Sequence, residues 1–246
     1  MRLDGKTALV TGGASGFGAG IARAFRAAGA QVMLADRNAE AVEAMAGVLG
    51  AHWTVADVGE DASVACMASA TLGALGHLDI LVNNAGVTHL PQALEEIEEE
   101  EFDRVFRVNA KSVYLTARHL IPAMKARGRG VVLNIASTAG LSPRPKLSWY
   151  NASKGWMITA TKSMATELAP DGLRVNALCP VAGETPLLKS FLGEDTPETR
   201  ARFLATIPLG RFSTPQDLGH AAVFLCSDEA AMLTGVALEV DGGRCI

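Results

Sequence analysis

The chain has no cysteine pair at metal-ligand spacing, no apolar run long enough to cross a bilayer, no block of like charge, and aromatic residues make up only 5% of it. Cys66, Cys179, Cys226 and Cys245 are far apart, and His52, His77, His89, His119 and His220 are equally scattered. Neither a zinc site nor a disulfide framework is expected, and the thiols read as reduced cysteines of a cytoplasmic protein. The acidic stretch Glu95 to Glu101 lacks the alternating oxygen ligands and glycine of a calcium loop, so it reads as a solvated loop and helix start. No metal is expected. With 22 basic against 26 acidic residues spread along the chain, and a net charge of -4, there is no electrostatic footprint for nucleic acid. Val131 to Ala136 is interrupted by Asn134 and too short to span a membrane, and Met1 to Gly13 lacks the basic start and long apolar region of a signal peptide. A soluble protein with a small-molecule partner is expected.

Across 246 residues, 49% hydrophobic residues are enough for a large core, and the uniform composition points to one domain over 1–246. Short β-branched or apolar runs alternate with stretches of helical period. Thr7 to Val10 is followed by Ile21 to Ala28, where Ile21, Ala24, Phe25 and Ala28 share a face. The strand pattern recurs at Gln31 to Ala35, Trp53 to Ala56, Ile80 to Val82, Val131 to Ile135, Leu173 to Leu178 and Val236 to Val240. Seven strands, most followed by a helix, predict an α/β Rossmann fold: a doubly wound, seven-stranded parallel sheet with helices on both faces. Ligands then bind beyond the carboxyl ends of the strands, where strand order reverses. Gly193 and Pro197 interrupt the helical pattern of Glu184 to Pro208, predicting two short helices with a break; a mobile substrate-side lid over about 184–210 suits that pattern.

Thr11-Gly12-Gly13-Ala14-Ser15-Gly16-Phe17-Gly18 follows the first strand and opens the first helix, where backbone N–H groups can meet a pyrophosphate at a positive helix end. A glycine-rich tight turn would have the same composition. Asp36 adds a second signal: it ends the second strand near the offset of roughly 20 residues at which a carboxylate meets the adenosine ribose. A helix-start acid before Asn38 is the plainer account of Asp36. A carboxylate here repels the 2′-phosphate of NADP, whereas the adjacent Arg37 attracts it. Asp36 holds the ribose position, so NAD is expected over NADP.

These motifs continue with Asp57-Val58, Asn83-Asn84-Ala85-Gly86, Asn109, Asn134-Ile135-Ala136-Ser137, Tyr150-Asn-Ala-Ser-Lys154, and Pro180 with Thr185. From Gly5 to Gly243 the chain resembles the short-chain dehydrogenase/reductase family. Tyr150 and Lys154 lie one helical turn apart on one face, so a lysine cation can favour the phenolate of a residue whose free pKa is about 10. The resemblance implies the roles. Tyr150 exchanges the proton with the substrate oxygen, Lys154 lowers its pKa and binds the nicotinamide ribose, Ser137 hydrogen-bonds the substrate oxygen, and Asn109 holds a water linking Lys154 to solvent. For the cofactor it implies Gly12, Ser15, Gly16, Phe17 and Gly18 at the pyrophosphate, Asp36 and Arg37 at the ribose, and Asp57 and Val58 at the adenine. Asn84, Ala85 and Gly86 follow at the fourth strand, with Pro180, Val181 and Thr185 at the nicotinamide. It also implies a homotetramer.

Two departures stand out. The family often has glycine directly after the proline at position 180, where this chain has Val181-Ala182-Gly183, and Phe17 replaces a customary aliphatic residue. The reading is an NAD-dependent oxidoreductase interconverting a secondary alcohol and a ketone. An NADPH-dependent reductase of 3-oxoacyl chains on a carrier protein is the alternative, and a non-catalytic NAD-binding module or a nucleotide-fold methyltransferase is more remote, since neither uses Tyr150 and Lys154. Arg144 and Lys146, close before Trp149 and Tyr150, fit either an anionic substrate at the pocket mouth or an ordinary solvated loop.

Overall fold

The β-branched and apolar runs become strands β1 (Thr7–Thr11), β2 (Gln31–Asp36), β3 (His52–Val55), β4 (Ile80–Asn83), β5 (Gly130–Ile135), β6 (Leu173–Pro180) and β7 (Ala237–Val240) in a computed structural model that describes residues 1–246. Between them lie α1 (Gly16–Ala27), α2 (Ala39–Leu49), α3 (Asp61–Leu75), α4 (Glu99–Phe106), α5 (Ser112–Ala126), α6 (Ser148–Leu168), α7 (Leu188–Leu192), α8 (Pro197–Leu204) and α9 (Pro215–Cys226). All seven strands pair in parallel in the order β3-β2-β1-β4-β5-β6-β7. The order reverses between β1 and β4, so Thr11 and Asn83 end side by side at the switch point, where the loops bearing the motifs diverge.

The central strands β1, β2, β4, β5 and β6 are buried on both faces because they are apolar without alternation, whereas the edge strand β3 is largely exposed. Ala8, Val10, Val32, Leu34, Ile80 and Val82 point into the core shared with Ile21 and Phe25 of α1 and Leu218 and Leu225 of α9. Their neighbours Leu9, Met33, Leu81 and Val132 point the opposite way, against Met67 of α3, Leu115 and Leu120 of α5 and Leu168 of α6. Two short helices with a break at Gly193 occupy the region after β6, as the pattern predicts. The acidic stretch is a single turn over Leu94–Glu96 followed by the start of α4 at Glu99.

One feature of the core is polar. Thr116 on α5 donates to Asn83 Oδ1 (2.8 Å), Asn83 Nδ2 donates to Asn134 Oδ1 (2.9 Å), and Asn134 Nδ2 donates to Thr161 Oγ1 of α6 (2.9 Å). Thr161 in turn donates to the Met157 carbonyl (2.8 Å). All four side chains are at most 4% exposed, so each depends on its partner for hydrogen bonding. This chain passes from α5 through β4 and β5 to α6 and sets how α6 lies on the sheet. Asn134→Ala leaves the Asn83 amide N–H without an acceptor and Thr161 with only its bond to the Met157 carbonyl, and should destabilise the fold by about 2 to 4 kcal/mol in urea unfolding, against about 1 to 2 kcal/mol for Thr116→Val at the end of the chain.

Candidate active site

The glycine loop is shaped by close approach as much as by its turn. Gly12 has φ +62°, and a Cβ there would lie 2.9 Å from Ala85 Cα; one at Gly18 would lie 2.1 Å from the Gly12 carbonyl oxygen. Asn84 Nδ2 donates to the carbonyls of Thr11 (2.9 Å) and Gly12 (3.0 Å), pinning the loop to the end of β4. Ser15 precedes α1 without a side-chain capping bond, and no acid occupies the first turn, so the helix start presents free amides and a positive end. Asp36 closes the far side of the loop: its carboxylate accepts from Ala14 N (3.2 Å) and Asn38 N (3.1 Å), while the capping role falls to Asn38, which accepts from Ala41 N. Asp36 is thus a brace between β2 and the glycine loop, not a helix cap.

These groups line a cavity of about 420 Å³ that runs along the carboxyl ends of the strands. Gly12, Ser15, Gly16, Phe17, Asp36, Arg37, Asp57, Val58, Asn84, Ala85 and Gly86 face it, and so do Ser137, Tyr150, Lys154, Pro180, Val181 and Thr185. Gly18 and Asn109 stand behind that wall. The cradle suits a dinucleotide, with glycines that let the loop pack tightly against the end of β4, uncapped amides for the phosphates and a carboxylate for ribose hydroxyls.

At the other end of the cavity, Tyr150 and Lys154 project from the first turns of α6. Lys154 Nζ donates to the Ile135 carbonyl at the end of β5 (2.8 Å) and lies 6.0 Å from the Tyr150 ring centroid. Gly86, in the loop after β4, packs against the side chains of Lys154 and Asn109: a Cβ there would lie 3.4 Å from Lys154 Nζ and from Asn109 Oδ1, in ordinary contact with each. Burial pushes the Tyr150 phenol up to about 12, opposed by the Ser137 hydroxyl and the Arg144 charge. Burial lowers the Lys154 ammonium to about 8. The cation acting on the phenol in the protein alone is therefore Arg144 and not the expected lysine.

Asn109 occupies a π-turn, Arg107–Lys111, between α4 and α5. Its Nδ2 donates to the Val87 carbonyl (2.9 Å) and Ser153 Oγ (3.0 Å), and its Oδ1 accepts from Val87 N (2.9 Å). With both amide hydrogens engaged, the side chain ties the β4 loop to α6, and only a second Oδ1 lone pair is left for a water. Ser137 Oγ accepts from Ala139 N (3.1 Å), which orients the hydroxyl beside Tyr150.

The two departures from the family pattern meet in space. A Cβ at Gly183 would fall 2.2 Å from Phe17 Cζ, so the glycine two places late in the chain makes room for the phenyl ring. Val181 packs instead into the apolar cluster with Tyr150, Leu188, Phe191, Phe203 and Phe212. Leu188 and Phe191 also line the cavity, although the sequence shows only the helical period of their segment. Of the two cations before Tyr150, Lys146 is exposed with φ +65°, whereas Arg144 folds inward.

A dinucleotide cradle joined to a buried tyrosine–lysine pair defines an oxidoreductase site. Residues 12–244 match the family model described as enoyl-(acyl carrier protein) reductase. The chain is 50% identical over 252 residues to 4-formylbenzenesulfonate dehydrogenase of Comamonas testosteroni, covering all of both chains. It is 40% identical to D-threitol dehydrogenase of Mycolicibacterium smegmatis, with 100% of this chain and 95% of the relative covered. Its structure superposes with a TM-score of 0.95 and 50% identity, over 100% of both chains, on a 3-ketoacyl-(acyl-carrier-protein) reductase from Brucella melitensis complexed with NADH. The chain belongs to the short-chain dehydrogenase/reductase family. It is an oxidoreductase that acts on CH–OH groups with a nicotinamide cofactor.

The lysine has a measurable signature. Between pH about 8, to which burial lowers Lys154, and its ordinary 10.5, the unfolded chain binds more protons at this position than the folded one. Stability through Lys154 therefore rises with pH across that window. Urea unfolding of wild type and Lys154→Met should show the wild type gaining stability relative to the variant as pH rises from about 8 to 10.5. A constant difference would contradict the burial of the ammonium.

Proposed function

We propose that the protein is an NAD-dependent dehydrogenase that interconverts a secondary alcohol and a ketone, with Tyr150 as the general acid and base. The observation that carries this reading is the buried Tyr150–Lys154 pair at the end of the cavity opposite Asp36. The nicotinamide dinucleotide supplies or accepts the hydride when bound.

The chain's own residues do the rest. Gly12, Ser15, Gly16, Phe17 and Gly18 hold the pyrophosphate on backbone amides, and Asp36 accepts from the adenosine ribose hydroxyls beside Arg37. Asp57 and Val58 border the adenine, and Asn84, Ala85 and Gly86 line the middle of the cofactor. Pro180, Val181 and Thr185 position the nicotinamide end. Ser137 donates to the substrate oxygen, and the Tyr150 phenol exchanges the proton with it. Lys154 keeps two N–H donors beyond its bond to Ile135 for the ribose and for stabilising the phenolate. Asn109 keeps Val87 and Ser153 in place around the lysine. Alignment and proton management are the protein's contribution to rate.

NAD is favoured because the Asp36 carboxylate, fixed by two backbone amides, would face the 2′-phosphate of NADP. NADH in the related Brucella reductase supports the same choice. The α7–α8 segment, packed over Tyr150 through Phe191 (ring centroids 5.7 Å apart), acts as the lid. The protein assembles as a homotetramer, with Trp156, 41% exposed on α6, at a subunit contact.

Tyr150→Phe should lower kcat by about 10²- to 10⁴-fold while NADH titration gives an unchanged Kd. Retained turnover would remove the tyrosine from the chemistry. With a panel of secondary alcohols followed by reduced-cofactor absorbance, kcat/KM with NAD should exceed that with NADP by about 10- to 1000-fold, and Asp36→Ala should shrink the ratio. A preference for NADP would overturn the reading of Asp36.

A further inference from the structure

A second cavity, of about 170 Å³, lies between α7, α8 and the C-terminal turn, and three arginines, Arg144, Arg202 and Arg244, line it with no acidic residue among its walls. Arginines on the same segment but outside the cavity are neutralised: Arg200 pairs with Glu184 and Asp195, and Arg211 with Asp217. No carboxylate lies within ion-pair distance of Arg144, Arg202 or Arg244. Glu198, one turn before Arg202 on α8, does not pair with it. Arg144 Nη1 is buried without any acceptor.

The Arg144 guanidinium is held by aromatic faces instead, 4.7 Å from the Phe191 centroid and 4.5 Å from that of Phe203, and Arg244 lies over Phe203 as well (5.2 Å). Cation–π contact orients a guanidinium but accepts none of its in-plane N–H bonds. Burial and the neighbouring Arg244 charge together lower Arg144 to about 10. Gathering like charges while leaving a buried donor unpaired is costly, and a small oxyanion relieves both penalties through charge-assisted, fork-shaped hydrogen bonds.

The cavity is tied to the reacting end of the molecule. The Arg144 carbonyl accepts from Asn151 Nδ2 (2.7 Å), the residue after Tyr150. Phe191 contacts Tyr150 edge-on with centroids 5.7 Å apart, lines the large cavity, and carries Arg144 against its ring. Phe191 therefore stands between the Tyr150 ring and the Arg144 guanidinium that lines the second cavity. An aromatic ring or short chain against Phe191 and Leu188 spans that gap.

We propose that this arginine cavity binds a carboxylate, sulfonate or phosphate group carried by the alcohol substrate at the end remote from its reacting carbon. This rests on the dehydrogenase reading, with Phe191 turning aside to join the cavities when such a substrate enters. Arg144, Arg202 and Arg244 are specificity-determining residues.

Two measurements test it. In steady-state oxidation, 4-(1-hydroxyethyl)benzoate should exceed the neutral 1-phenylethanol in kcat/KM by about 10- to 100-fold, and Arg202→Gln should reduce that ratio by a similar factor. Because Arg144 also packs on two aromatic rings, Arg202→Gln and Arg244→Gln carry the test, with Arg144→Lys as a charge-preserving comparison that loses the fork. In parallel, calorimetric titration of the NADH-loaded protein should show benzenesulfonate binding that weakens with salt and by about tenfold or more in Arg202→Gln, with no binding of benzamide. Equal use of the two alcohols, or benzenesulfonate affinity unchanged in both glutamine variants, would overturn the anion site. If neither alcohol is oxidised, the dehydrogenase reading fails on these substrates while the titration still decides the site.

Discussion

The hydrogen-bonded chain Thr116–Asn83–Asn134–Thr161 is the constraint on which the active site depends. Apolar packing alone lets a helix slide or rotate over a sheet at modest cost, because dispersion and burial are non-directional. Amide and hydroxyl groups in a dry interior have one satisfying arrangement, and losing it leaves donors without partners. By fixing α6 on the ends of β4 and β5, the chain places Lys154 under the Ile135 carbonyl and turns Tyr150 toward Ser137. Asn109 completes the frame from the other side through Ser153 and Val87.

Within that frame the electrostatics are opposed by design of place. Burial drives Tyr150 and Lys154 toward their neutral forms, up to about 12 and down to about 8. A protonated phenol beside a hydroxyl donor suits protonation of a substrate oxygen, and any added positive charge brings the phenolate within reach. Asp36 shows a similar economy: the Ala14 amide that helps lock its carboxylate also braces the glycine loop, so the acid's orientation and the loop's shape rest on one contact.

Much of this is legible in the amino-acid sequence. The strand runs match β1 to β7 within a residue or two, because the central strands, buried on both faces, carry near-continuous apolar signatures and the edge strand β3 is rich in β-branched or aromatic residues. The glycine loop, Asp36 and the Tyr150–Lys154 spacing were legible because each depends on local backbone geometry: a tight turn, a strand end, one helical turn. Phe17 and Gly183 looked like separate departures, since nothing local says that a ring at the start of α1 fills the space left by a glycine after β6. Asn109 was found by its motif, but its commitment to Val87 and Ser153 is a tertiary fact. Arg144 and Lys146 looked alike in sequence, and only the packing of Phe191 and Phe203 turned the first inward.

The amino-acid sequence by itself determined the parallel α/β sheet, the place of the glycine-lined cradle at its switch point and the one-turn spacing of Tyr150 and Lys154 on α6. These follow from hydrophobic period, glycine and side-chain spacing, which act over a few residues. Tertiary structure alone decided which cations face acids and which do not, since Arg144, Arg202 and Arg244 come from three distant segments and meet only when α7, α8 and the C-terminal turn pack together. Charges act on one another through space and are indifferent to chain order, so their balance is set by the fold.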